Sequence, residues 1–350
     1  MLATKLARGK LLTFLILGSS LLSASSLFAL KSSWTWSFGK RFTPEQAQRF
    51  QDKSELIFSK SALPQFTQLI FSWNAIRPSQ GYFRFWVQCY LPTKRRWTEW
   101  HKMADWGAFI QRSHRVQLQP EYAYEFVRFE ATAGHFCTEF KVKVSAHNGA
   151  NLADLRHLGV CIANYQNFKA ESVQKLLRLP SLKIMNVPAR SQMAVPFTDR
   201  TKICSPTATS MQVAYLAGAQ PDVLAFARQS YDYGLEAYGS WPFNTAHAYE
   251  IYPHAVFRVV RLRRFADLYA YLRANLPVVV SIRGPIRGGA SPYKSGHLVV
   301  VTGWDRQRKI VFCHDPAMSS NHKVPHKYRA QDFLAAWEKS KRLAYVAEPL

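Results

Sequence analysis

The sequence predicts an α+β protein of two domains: an antiparallel β-sandwich, then a segment that mixes helices and strands. Three observations carry this. The 350 residues exceed one domain of roughly 100–200 residues. Apolar residues alternate with a period of two through residues 66–165, as half-buried strands do. Beyond Pro180 that alternation gives way to a run with helix start and stop signals and to continuous apolar strands. With 48% hydrophobic and 19% charged residues, the composition excludes disordered, collagen-like and coiled-coil chains. The formal charge of +24 speaks to partners and solubility, not to fold.

Lys5, Arg8 and Lys10 precede an apolar run from Leu11 to Leu22, and the small residues Ser23–Ser26 and Ala29 follow. These are the three parts of a secretory signal peptide over residues 1–29, with cleavage after Ser26 or Ala29. An uncleaved anchor is the alternative, because no charge falls between Lys10 and Lys31. The prediction is an exported protein (periplasmic, envelope-bound or secreted) with no stable membrane span after cleavage. Residues 30–54 read as a linker.

Residues 55–165 read as the sandwich. Phe83, Phe85, Val87, Cys89 and Leu91 share one face opposite Arg84 and Gln88. Phe140, Val142 and Val144 alternate with Lys141 and Lys143. Pro78, Gly81, Pro92, Pro120, Gly134 and Asn148-Gly149 mark the turns, and short alternating strands at this spacing suggest a sandwich. By parity Cys89 points inward, while Cys137 and Cys161 point outward and could pair if their strands are neighbours. Trp97, Trp100 and Trp106, among Arg95, Arg96 and Lys102, cap the core under snorkelling basic side chains or offer a sugar- or peptide-binding face. No nucleic-acid recognition motif accompanies the basic residues. Residues 166–182, with a short helix over 169–178 ended by Pro180, form a second linker.

In residues 183–350, Cys204–Gly218 has the marks of a helix: Pro206 in its first turn and Gly218 at its C-terminal cap. Cys204 therefore sits at a helix N-terminus, where free N–H groups and the positive dipole end favour a thiolate. Gly296–Trp304 is a strand beginning at His297, and Lys309–Asp315 is the next strand. A hairpin of the two places His297 near Asp315. Nucleophile, base and orienter are thus available in one set. His314 faces away by strand parity. The five cysteines contain no CxxC pair, and Cys313, His314, His322 and His326 are irregularly spaced, so neither metal nor cofactor is expected. The odd count suggests a free thiol, or one paired with another chain.

The stretches Val187–Met193, Cys204–Met211, Gly239–Ala246, Pro277–Ser281, Gly296–Gly303 and His314–Ala317 resemble, in order, the bacterial cysteine peptidases of family 39, the double-glycine leader peptidases. The resemblance implies a papain-like cysteine peptidase domain. In it Cys204 is the nucleophile, His297 the base and Asp315 the orienter, and Gln192 donates into an oxyanion hole with the Cys204 N–H. Trp241 and Asn244 either line the substrate groove or form a core tryptophan beside a helix cap. Ser205 departs from the glycine usual after the cysteine, and no transporter half follows, so leader cleavage is not expected. The expected substrate is a peptide or other amide, acidic or associated with the cell envelope given the net charge and Arg283, Arg287 and Lys294, with no specific nucleic acid. A catalytically inactive envelope-binding protein and a thiol acyltransferase are the alternatives.

Overall fold

Tyr82–Leu91 shows how the first half folds. Its odd-numbered residues are fully buried and its even-numbered ones half-exposed, the alternation a pleated strand imposes. It pairs antiparallel with Glu139–His147 on one side and His101–Gly107 on the other. Glu55–Lys60 and Gln111–Ser113 complete that sheet, in the order 55–60, 139–147, 82–91, 101–107, 111–113, with Arg96–Trp97 paired to 82–91. A second antiparallel sheet runs 35–41, 155–163, 68–75, 128–131, 122–125. Side chains of both sheets meet in one apolar cluster that includes Phe71, Trp73, Phe85, Val87, Phe140 and Val160. Trp73 stacks on Phe85 at 4.2 Å.

A third, entirely antiparallel sheet runs 255–261, 343–349, 278–282, 297–305, 310–314, 325–329, with Leu182–Lys183 paired to 297–305. Helices Cys204–Ala217, Trp241–Ile251, Phe265–Arg273 and Ala330–Lys339 accompany it. The protein is thus mixed α/β with several antiparallel sheets. This computed structural model describes residues 33–350 apart from 51–52 and 116–118. The expected signal peptide lies outside the described residues.

Trp34–Leu350 packs as one unit. Gln68–Ala75 is buried on both faces, one against the first sheet and the other against the 255–261 strand. Asn74 is fully buried. Its amide nitrogen donates to the Phe257 carbonyl at 2.9 Å, and its amide oxygen accepts from the Phe257 N–H at 2.9 Å. Arg77 forks onto Glu250 at 2.7 and 2.8 Å while lying 4.7 Å over Trp106. Phe243, on the 241–251 helix, enters the apolar cluster of the first half, edge-on to Trp73.

Several expectations change. Thr35–Arg41, within the stretch read as a linker, is an edge strand paired along its whole length with 157–163. The helix expected over 169–178 shortens to Val173–Leu176. Cys137 and Cys161 are buried, not outward. Cys137 precedes the regular strand and bridges to Phe66, so strand parity does not apply to it. Cys161 does face away from the shared cluster, but that face is covered by the third sheet, and its sulfur accepts from the Arg261 N–H at 3.2 Å. Trp106 is fully buried. Trp97 and Trp100 are half-buried beneath the ammonium groups of Lys141 and Lys143, at 4.0 and 4.8 Å.

Asn74→Ala leaves the Phe257 N–H and carbonyl unpaired in a buried junction, which costs about 1–3 kcal/mol for such groups. Urea unfolding of the variant should show a midpoint lowered accordingly. An unchanged midpoint would mean that this junction contributes nothing to stability.

Candidate active site

The helix at 204–217 is buried on almost every side, so its N-terminal residue is fixed by packing. A 3-10 turn, Arg200–Lys202, leads into it, and Gly218 ends it in the left-handed conformation (φ 65°). Cys204 is the one partly exposed cysteine among the described residues; the other four are buried. Ser205 is fully buried, and its hydroxyl hydrogen bonds with that of Tyr345 at 3.0 Å. Ser205 is thereby turned into the core.

The hairpin forms as the sequence predicts. Strands His297–Asp305 and Ile310–His314 pair antiparallel, with a bulge between Val301 and Gly303. Gly303 is needed because a Cβ there would lie 2.6 Å from the Leu182 carbonyl oxygen. His297 Nε2 meets Asp315 Oδ1 at 2.7 Å, with both side chains buried. That leaves Nδ1 free on the side of Cys204, whose thiol and the His297 ring shift each other's proton affinity. His314 faces the other way, its Nδ1 donating to the Pro188 carbonyl at 3.1 Å.

Asp315 accepts from four donors. The His297 ring and the Ala317 N–H (2.8 Å) share Oδ1. The hydroxyls of Tyr293 (2.8 Å) and Tyr328 share Oδ2. Tyr293 also lies flat on His297, with ring centroids 4.1 Å apart and planes 10° apart. Neither tyrosine is expected from the sequence. Tyr293 comes from the glycine-rich loop and Tyr328 from the strand beyond Ile310–His314, and no local pattern marks either.

The electrostatics follow. Burial disfavours the imidazolium, but the Asp315 carboxylate and the Cys204 thiol outweigh it and push His297 up to about 10. Burial likewise disfavours the Cys204 thiolate. The neighbouring His297 and the Leu298 backbone nevertheless hold its pKa below that of an ordinary thiol. Burial pushes the Asp315 carboxyl up, yet His297, the Tyr328 hydroxyl and the Ala317 N–H hold it down to about 2. Both shifts, of Cys204 and of His297, run in the direction that favours a thiolate beside an imidazolium.

Gln192 is buried in a 3-10 turn. Its backbone N–H donates to the Pro316 carbonyl at 2.8 Å, and its Nε2 donates to the Arg200 carbonyl at 2.8 Å. It therefore ties the residue after Asp315 to the turn that delivers Cys204. An amide nitrogen carries two protons, and this bond uses one of them. Asn244 does not line a groove. It is fully buried, and both Nδ2 protons go to carbonyls, of Tyr238 at 2.9 Å and Ser240 at 2.8 Å. Trp241 is half-buried and packs against the apolar clusters of both halves.

Residues 184–345 match the model of the Peptidase_C39 like family. A crystal structure of a candidate C39-like peptidase from Bacillus anthracis aligns at 19% identity and a TM-score of 0.38, over 49% of this chain and 98% of that one. No curated protein matches the chain.

An unperturbed thiol has a pKa of about 8.5 and is well under 1% thiolate at about pH 6. Iodoacetamide at that pH should label Cys204 well ahead of the buried Cys89 and Cys313, whose thiols burial pushes up. His297→Ala should slow the Cys204 reaction at least about tenfold at pH 6 and converge on the wild type above about pH 9, where thiolate forms unaided. Equal rates at pH 6 would remove the basis for an ion pair.

Proposed function

We propose that the chain is an exported cysteine peptidase: a β-sandwich at 35–165 followed by a papain-like domain at 183–350 that cleaves an amide bond through a thioester. The observation that carries this reading is the buried His297–Asp315 pair acting on Cys204 at the start of its helix, within a segment that matches a peptidase family's model.

In this reading the Cys204 thiolate attacks the amide carbonyl carbon. The negative charge moves to the carbonyl oxygen, which accepts from the Cys204 N–H and the remaining Nε2 proton of Gln192. His297 then gives its Nδ1 proton to the departing amine, the C–N bond breaks, and a thioester stays on Cys204. Neutral His297 takes a proton from water, the hydroxide adds to the thioester, and the thiolate leaves with the imidazolium restored. Asp315 stays ionised throughout and holds the ring. Trp241, half-buried, remains a candidate for substrate contact. Exposed Arg283, Arg287 and Lys294 flank the loop before His297 and favour acidic or envelope-associated amides.

Incubation with a peptide library and mass spectrometry should reveal a thioester on Cys204 and release of amine. Cys204→Ala should abolish both, and its near-ultraviolet circular dichroism should match the wild type. A wild type that yields neither adduct nor product across diverse amides would overturn the peptidase reading. For export, N-terminal sequencing of protein recovered outside the cytoplasm should start near Leu27 or Leu30. An intact Met1 would contradict cleavage.

A further inference from the structure

Oδ1 of Asp315 serves His297, whereas Oδ2 is taken by two phenol hydroxyls from separate elements. A carboxylate that only needed to be satisfied could have used backbone N–H groups for this. The two tyrosines do more. By occupying Oδ2 they stop the carboxylate from rotating, and by donating to it they draw charge away from the oxygen that His297 meets.

Tyr293 adds a third constraint. Its ring covers one face of the imidazole. The loop from Gly284 to Gly296 is tied around it: the N–H groups of Gly284 and Gly296 donate to its carbonyl at 3.1 Å each, and the Ala290 N–H donates to its hydroxyl at 3.1 Å. Gly284 and Gly296 both sit at positive φ (83° and 100°), which lets the loop close on one residue.

We propose that Tyr293 and Tyr328 are positioning residues that set the proton affinity of His297 through Asp315, and so set the pH range over which the Cys204 thiolate pairs with the imidazolium. This rests on the catalytic reading above. The other titratable groups facing the pair are Cys204 itself, Cys313 and His326, which feel the Asp315 charge, and Tyr345, which feels that of Cys204. None of these last three hydrogen bonds to Asp315 or His297 among the described residues. The tyrosines are therefore the direct modulators.

The sign follows from the charge. Removing one hydroxyl leaves Asp315 held by the other tyrosine but with more charge on Oδ1. The imidazolium is then favoured and the nearby thiolate disfavoured, so both limits of the ion-pair range move to higher pH.

The test follows the rate of Cys204 alkylation against pH for the lower limit and the 15N shifts of the His297 imidazole for the upper one. Tyr293→Phe and Tyr328→Phe should each raise both limits by about half a pH unit or more. Tyr293→Ala, which also frees the ring to tilt, should lower the alkylation rate within the ion-pair range, and Tyr293→Phe should restore that rate while keeping the pH shift. A loss of stability alone would move neither limit, and near-ultraviolet circular dichroism reports folding independently. Limits that stay fixed or fall in both Phe variants, while the wild type keeps its perturbed titration, would overturn this inference alone. An ordinary thiol titration in the wild type would overturn the catalytic reading and this inference with it.

Discussion

The candidate site depends on one buried hydrogen bond, that between His297 Nε2 and Asp315 Oδ1. A carboxylate buried without partners would take up a proton, and a buried imidazole would shed one. Paired, each holds the other in its charged form. This bond also fixes which ring nitrogen remains for Cys204. Without it the thiol at the helix start would have only the dipole end and nearby backbone to favour ionisation.

The fold supplies the two halves of that bond from one hairpin and then braces it from outside. The strands at 297–305 and 310–314 bring the residues within reach. The turn at Gln192 binds Pro316 on one side and the Arg200 carbonyl on the other, so Asp315 and Cys204 share a support. The third sheet is anchored in turn on the back of the 68–75 strand, through Asn74 and through Arg261, whose Nε donates to Gln68 Oε1 at 2.7 Å. The first half of the chain is therefore a wall of the same structure that carries the site, with Phe243 reaching from the 241–251 helix into its apolar cluster.

Much of this was legible in the sequence, where local pattern and geometry agree. The alternation in 82–91 and 139–147 reports one buried face, and those strands are where the pattern places them. Pro206 and Gly218 bound a helix that begins at Cys204. His297 and Asp315 at matching ends of a hairpin are close because antiparallel pairing requires it. The misread parts are those where a second surface intervenes. Cys161 follows strand parity, but the face taken for solvent is covered by the third sheet. Thr35–Arg41 lies at the edge of a sheet where its burial pattern is irregular. Asn244, read as a groove residue, spends its amide on the turn that starts its own helix. Tyr293 and Tyr328 reach Asp315 from separate elements, and no spacing in a single chain encodes such a meeting.

The most direct measurement of the account is the protonation state of His297 in the resting protein near neutral pH. With the imidazole labelled, 15N shifts should show both ring nitrogens protonated and in hydrogen bonds, and the signal should revert to a neutral ring in Cys204→Ala,Asp315→Asn. A neutral, singly protonated His297 in the folded, reduced wild type would contradict the ion pair on which the rest is built.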